Sequence, residues 1–268
     1  MTELNPEVAR RAIVEHTRQL AVSAAAAGPA AAVPTTPEWT VADLVAHVGQ
    51  TQHWVAEIVE RRIIDPARLP AGDAELPADP GEWPAWLAGS ARRVADSLDD
   101  DALDALVFNA AGDARTGARF WMASVLNESV VHGFDGANAA GRWVDVEPDV
   151  AAPLIDNHLA MLTSPTWKMR RPESAGAIRG TGQTLQWRAT DTDDGTGAWF
   201  VERRPDGARW HPGTGPADVT VTGPAGALLL TLTRRLPLAV DGAPAGVAVD
   251  GDAALVRHWL DSTAHVAD

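Results

Sequence analysis

VADLVAHVGQTQHWVAEI, residues 41–58, is the stretch on which the reading of the fold turns. Its positions 44, 47, 51, 54 and 58 follow the 3–4 spacing of one helical face and read Leu44, His47, Thr51, Trp54 and Ile58. A second stretch, WMASVLNESVVHGFD (121–135), repeats the spacing with Trp121, Val125, Glu128, His132 and Asp135. Each predicts a helix whose core-facing stripe is interrupted by polar residues. An imidazole or carboxylate left unpaired in a core costs several kcal/mol, so such positions stay polar only where something pairs with them. Two readings satisfy that condition. Either the histidines are core residues and Glu128 belongs to an internal salt bridge, or His47, Glu128 and His132 converge as three ligands of a divalent cation. Two neutral imidazoles and one carboxylate suit Zn²⁺ with an open fourth position, and Ni²⁺, Co²⁺ or Fe²⁺ would accept the same donors.

The spacing supports the second reading. Glu128 and His132 are four residues apart, so on a helix they project from one face a turn apart, while His47 must come from another helix. Asp135 lies near one turn beyond His132. There it either orients an imidazole N–H from behind or is a solvated carboxylate near a helix end. His16, between Ile13 and Leu20, is a reserve candidate for the bundle interior. His53 is six residues from His47 and points to another side; His158, His211, His258 and His265 read as surface or second-domain residues.

Outward from these two stretches, the first 160 or so residues read as helices separated by proline- and glycine-rich breaks. One helix is expected over about 6–27, with Asn5 as N-cap and Pro6 at the first position. Thr40 caps the next, with Asp43 as the acid of a capping box. Others are expected over about 82–98, 117–140 and 148–162. After Pro172 the pattern changes. Residues 185–189, 198–202, 218–222 and 247–249 read as strands, with helices over 228–235 and 252–260. The fold class is α+β: a helical bundle over 1–165 followed by a smaller α/β domain over 176–268.

Composition narrows the function classes. The chain has 268 residues, enough for a core without staples, and a formal charge of −14 that argues against nucleic acid or an anionic membrane as partner. It has no cysteine, which excludes a disulfide scaffold, a thiolate metal site and a cysteine nucleophile. No apolar run approaches the roughly 20 residues of a membrane span, and no basic segment followed by a hydrophobic core opens the chain. A cytoplasmic protein without a signal peptide is expected. Eleven tryptophans with no tyrosine read as core fillers of an alanine-rich chain, with one or two left to line a ligand pocket. There is no phosphate loop, no GxSxG and no HExxH. Arg234 and Arg235 end the apolar run LLLTLTRRL, either as compensation of a helix C-terminus or with one arginine clamping a substrate carboxylate.

Two motifs carry a resemblance. EWTVADLVAHV (38–48) and NESVVHGFD (127–135) resemble the metal-ligand helices of the mycothiol-dependent maleylpyruvate isomerase family, part of the DinB-like four-helix bundle superfamily. ADVTV (217–221) to Gly223-Pro224, Leu228 to Arg234, and VDGD (249–252) are similar to that family's C-terminal domain. The resemblance implies zinc on His47, Glu128 and His132, a thiol or water in the fourth position, and Arg234 at a substrate cleft. It also implies mycothiol as cosubstrate and a small electrophile bearing a carboxylate as substrate, in a monomer or homodimer.

The charge balance is consistent with such chemistry. Zn²⁺ with two neutral imidazoles and one carboxylate leaves +1, which a thiolate neutralises, so a small-molecule thiol would supply the sulfur that a cysteine-free chain lacks. An isomerase would add the thiolate to a cis enedioate, let the new single bond rotate, and eliminate to the trans isomer. An S-transferase would leave the sulfur attached. Two further expectations compete: a zinc hydrolase using metal-bound water with Asp135 as base, and a non-catalytic protein in which the metal is structural and the second domain holds an apolar ligand.

Overall fold

A computed structural model describes residues 4–193, 196–238 and 246–264; His265 lies outside them. Contacts among the described residues divide the chain into two compact units, Leu4–Val144 and a second that begins at Asp145.

In the first unit the elements are α1 (Pro6–Ala27), α2 (Val41–Glu60), α3 (Trp83–Ser97), the single turn α4 (Asp100–Leu103) and α5 (Gly117–Ala139). The starts are set locally. Asn5 accepts the amides of Glu7 and Val8 at 2.9 and 3.2 Å, with Pro6 at the first helical position. Thr40 and Asp43 close a reciprocal capping box, the Thr40 amide donating to Asp43 at 2.9 Å and the Asp43 amide to Thr40 at 3.3 Å. α1 packs on α3 and α5, and α2 on α3 and α5, giving a four-helix arrangement.

Two glycines set how closely the helices approach. A Cβ on Gly136 of α5 would meet Leu20 of α1 at 2.5 Å, and one on Gly49 of α2 would enter the Trp86 ring of α3 at 2.1 Å. Between α1 and α2 the chain forms a strap. Ala32 bridges Thr40, the Val33 amide donates to the Trp39 carbonyl at 3.0 Å, and Val33 is fully buried among Leu20, Leu44, Val48 and Leu87.

The second unit begins with α6 (Pro148–Leu162), α7 (Pro165–Arg170) and α8 (Pro172–Ala177), followed by β1 (Thr184–Ala189), β2 (Ala198–Arg204), β3 (Gly207–Pro212), β4 (Val219–Gly223), α9 (Ala225–Leu232), β5 (Ala248–Gly251) and α10 (Ala253–Ser262). The strands form one sheet in the order β3-β2-β1-β4-β5. β1 pairs antiparallel with β2, Trp187 opposite Trp199, and parallel with β4, Trp187 opposite Val221; the other pairings are antiparallel. α9 and α10 pack on β4, and Leu185, Trp187, Trp199, Val219, Val221 and Trp259 are at most 1 % exposed.

Three differences from the sequence reading have physical reasons. The units part at Val144/Asp145, upstream of the expected 165–176 boundary, because α6 packs on α9. Helical periodicity identifies a buried face but says nothing about what buries it. The edge strand β3 was not anticipated, since GARWHP carries glycine and proline where a strand signal needs alternation. α9 starts three residues earlier than expected and ends at Leu232, so Arg234 stands beyond the helix.

Candidate metal centre

α2 and α5 deliver the polar residues of the two stripes to one place. The Nε2 atoms of His47 and His132 lie 3.0 and 3.1 Å from the same oxygen, Oε2 of Glu128. One ligand atom from each of the three residues falls within 4.8 Å of the others. Two ligands each ~2.0–2.1 Å from a tetrahedral zinc stand ~3.3 Å apart, close to the separation of each imidazole nitrogen from the Glu128 oxygen. The donor chemistry fits too: two imidazoles and a carboxylate, with no competing amine.

The centre lies at the edge of the bundle core rather than in its middle. The fully buried side of α2 carries Val41, Val45, Val48, Gln52, Val55 and Val59; His47, Thr51 and Trp54 flank it half-buried. The side chains of His47 and Glu128 are 30 % and 31 % exposed, that of His132 only 5 %. One candidate ligand is therefore sealed in the protein, and two meet solvent.

Behind His132 stands Asp135, fully buried, whose Oδ2 accepts from His132 Nδ1 at 2.8 Å. That bond places the Nδ1 proton toward the carboxylate and leaves Nε2 turned to Glu128 and His47. Asp135 Oδ1 accepts from the Thr35 hydroxyl at 2.6 Å. With one oxygen on an imidazole and the other on the strap, Asp135 is held as an orienting group, not as a base aimed at the open side. The Trp39 ring leans on both imidazoles, its centroid 4.9 Å from His47 and 5.7 Å from His132.

The electrostatics follow from this crowding. Burial disfavours the charged form of Glu128, but hydrogen bonds from His132 and His47 outweigh it and hold the carboxyl far below the usual carboxylate range. Burial also opposes protonation of His132, yet the Asp135 and Glu128 carboxylates prevail and raise it to about 9. At neutral pH the metal-free centre thus holds a proton on His132, in the place a cation would take.

A second polar cluster occupies the bundle core. Gln52 of α2, 1 % exposed, donates to Thr17 of α1 at 2.7 Å and Ser129 of α5 at 3.2 Å, and accepts from Ser90 of α3 at 2.7 Å. The reserve candidate His16 is buried on α1 against Gly133 and is no part of the three-residue cluster. His53 sits beside Arg93 at 3.3 Å and Trp86, away from the centre. In the second unit His158 is buried on α6, while His211 and His258 are exposed.

Arg234 is in the second unit, where it ends α9. Its amide donates to Thr231 and that of Arg235 to Leu230, at 3.0 and 2.7 Å, the paired bonds of a helix terminus that usually has glycine at this position. Arg234 takes the left-handed conformation there, φ +63°, and its half-exposed side chain is 3.4 Å from Asp261.

Sequence reasoning missed Thr35, the contacts of Trp39 and the Gln52 cluster. Only Gln52 left a signal, as the polar member of the apolar row Val45, Val48, Val55.

A helical bundle with a two-histidine, one-carboxylate centre, followed by a mixed sheet flanked by helices, defines the class of protein. Residues 10–137 match the model of the mycothiol maleylpyruvate isomerase N-terminal domain, so this part of the chain is similar to that domain. A solved mutant of mycothiol-dependent maleylpyruvate isomerase shares the fold, with a TM-score of 0.50 at 14% identity over 92% of this chain and 93% of that one. A ubiquinone synthesis protein, UbiJ-SCP2, aligns over 43% of this chain and 91% of its own at 18% identity, with a TM-score of 0.25. The sec-alkylsulfatase Pisa1 from a Pseudomonas species aligns over 84% of this chain and 30% of its own at 15% identity, with a TM-score of 0.33. Among the curated proteins none matches the sequence. No helix of the described residues is long and apolar enough to cross a membrane.

Proposed function

We propose that the chain is a thiol-dependent metalloenzyme in which His47, Glu128 and His132 hold a divalent cation, for which zinc suits the donor set. It uses mycothiol to isomerise a cis enedioate of the maleylpyruvate kind. The observation that carries this reading is the convergence of two imidazole Nε2 atoms on one carboxylate oxygen at a partly exposed edge of the bundle. The match of residues 10–137 to the mycothiol maleylpyruvate isomerase N-terminal domain supports the thiol. When bound, the cation lowers the pKa of a thiol and stabilises its thiolate at neutral pH. His132 presents Nε2 because Asp135 holds the other nitrogen, and Trp39 shields the imidazole faces from water. Arg234 pairs with a substrate carboxylate. An exposed ion pair is worth little, so its bond to Asp261 is readily exchanged. S-transfer, in which the sulfur stays on the substrate, uses the same residues and is the alternative outcome of the same chemistry. A hydrolase would require a base at the open side, and the bonds made by Asp135 argue against it in that role.

The test is turnover of a cis enedioate with and without mycothiol, alongside metal analysis of the purified protein. Isomerisation that requires both thiol and bound metal is expected. Turnover undiminished without thiol, or a protein with no metal, would sink the reading. Arg234→Gly is expected to raise KM for the carboxylate substrate with metal content unchanged. It should also relieve the left-handed strain and stabilise the fold by up to about 1 kcal/mol. An unchanged KM would return Arg234 to a helix-ending role.

A further inference from the structure

We infer that Thr35 is a positioning residue for the metal centre, acting on His132 through Asp135. The inference rests on the proposed metal role of that centre. Thr35 belongs to the strap between α1 and α2, far in sequence from α5, yet its hydroxyl is 2.6 Å from Asp135 Oδ1. The carboxylate is fully buried and its other oxygen is 2.8 Å from His132 Nδ1. A carboxylate rotates about its Cβ–Cγ bond unless both oxygens are tied. With Oδ2 on an imidazole, the hydroxyl on Oδ1 sets the plane of the group and with it the angle of the His132 ring.

The strap can hold that hydroxyl in place because it is itself fixed. Ala31 and Pro29 carbonyls accept from Val41 and Ala42 at 2.9 and 3.0 Å, the Thr36 amide donates to Val33 at 3.1 Å, and the Trp39 amide to Thr36 at 2.9 Å. The same turn that places Thr35 behind Asp135 brings Trp39 against both imidazoles. His132 is thus set from behind by a hydroxyl–carboxylate pair, and its ring is braced by an indole from the same loop. Residues that orient a metal-bound histidine through its second nitrogen typically contribute about 10- to 100-fold in metal affinity. Thr35 is one bond further out and acts on the same coordinate.

The test compares Thr35→Val, which keeps the volume and removes the hydroxyl, with Thr35→Ser, which keeps the hydroxyl. Zinc affinity is read by competition with a chromophoric chelator. The Co²⁺-substituted protein is read by its visible ligand-field absorption, which reports ligand geometry and not fold stability. Thr35→Val is expected to weaken zinc binding about 10-fold or more and to shift the Co²⁺ band, while Thr35→Ser stays within about threefold of the parent. Thr35→Ala carries the same expectation as Thr35→Val if the valine variant does not fold. A valine variant that binds zinc as the parent does, or a serine variant as weak as the valine one, overturns the inference. A parent chain that takes up no zinc overturns the metal reading itself, whereas a parent that binds zinc beside an indifferent Thr35→Val sinks this inference alone.

Discussion

The bundle holds two polar clusters within a few helical turns of each other, and they differ in what they leave open. Around Gln52, groups from all four long helices meet, and the Gln52 amide uses both of its ends: two donor bonds to hydroxyls and one accepted from Ser90. The hydroxyls are anchored in turn, Thr17 to the Ile13 carbonyl, Ser129 to Val125 and Ser90 to Leu87. Everything there is at most 1 % exposed. At His47, Glu128 and His132 two ring nitrogens crowd onto one carboxylate oxygen, and two of the three side chains are about a third exposed. A satisfied polar cluster in a core locks helices in register. A cluster with converging donors and an open edge is arranged to receive something. The difference lies in satisfaction and access, not residue type, since both consist of ordinary polar side chains on helix faces.

The contrast can be broken most directly at the centre. His132→Ala is expected to lower metal affinity by about three orders of magnitude, ~4 kcal/mol, while circular dichroism shows the helices intact. Stoichiometric metal in that variant would place the ligands elsewhere. Gln52→Ala should do the reverse. It removes a buried amide and leaves hydroxyls short of partners, so chemical denaturation should show a loss of about 2–3 kcal/mol with metal stoichiometry retained. A Gln52 variant that lost metal without losing stability would erase the distinction between the clusters.

The most diagnostic effect is in pH. The folded His132 pKa is raised to about 9 from an ordinary value of 6.5. The stabilisation it brings to the metal-free protein is therefore fully present below pH 6.5 and lost as pH rises through 9. Glu128, held below its ordinary 4.5, contributes above that value and loses its contribution as pH falls further. Metal-free melting temperatures should decline across pH 6.5–9, and a His132→Ala variant should flatten that decline. An equal decline in both would remove the charge coupling from the account.

The helices of the bundle were legible because their signals are local. Asn5-Pro6 and Thr40 with Asp43 name two starts, and hydrophobic spacing gives the faces. The convergence of His47, Glu128 and His132 was legible because polar residues on such faces are costly and conspicuous. Its position at the edge of the core was not, because the 44-47-51-54-58 row of α2 lies beside its most buried row, and spacing cannot rank two neighbouring rows. α6 shows the same limit at larger scale, being correctly bounded and assigned to the wrong unit. β3 was missed because an edge strand needs only one partner and tolerates the glycine and proline that hide it.

By itself, the chain order of residues determined the four long helices of the first unit, four of the strands and the three candidate ligands, since each depends on neighbours within a few positions. Tertiary structure alone decided that Thr35 reaches Asp135 across 100 positions of sequence. It also decided that Gln52 ties four helices together, and that the centre faces solvent on one side. Those facts depend on how rigid elements pack, and packing is settled by volumes and partner groups from the whole chain at once.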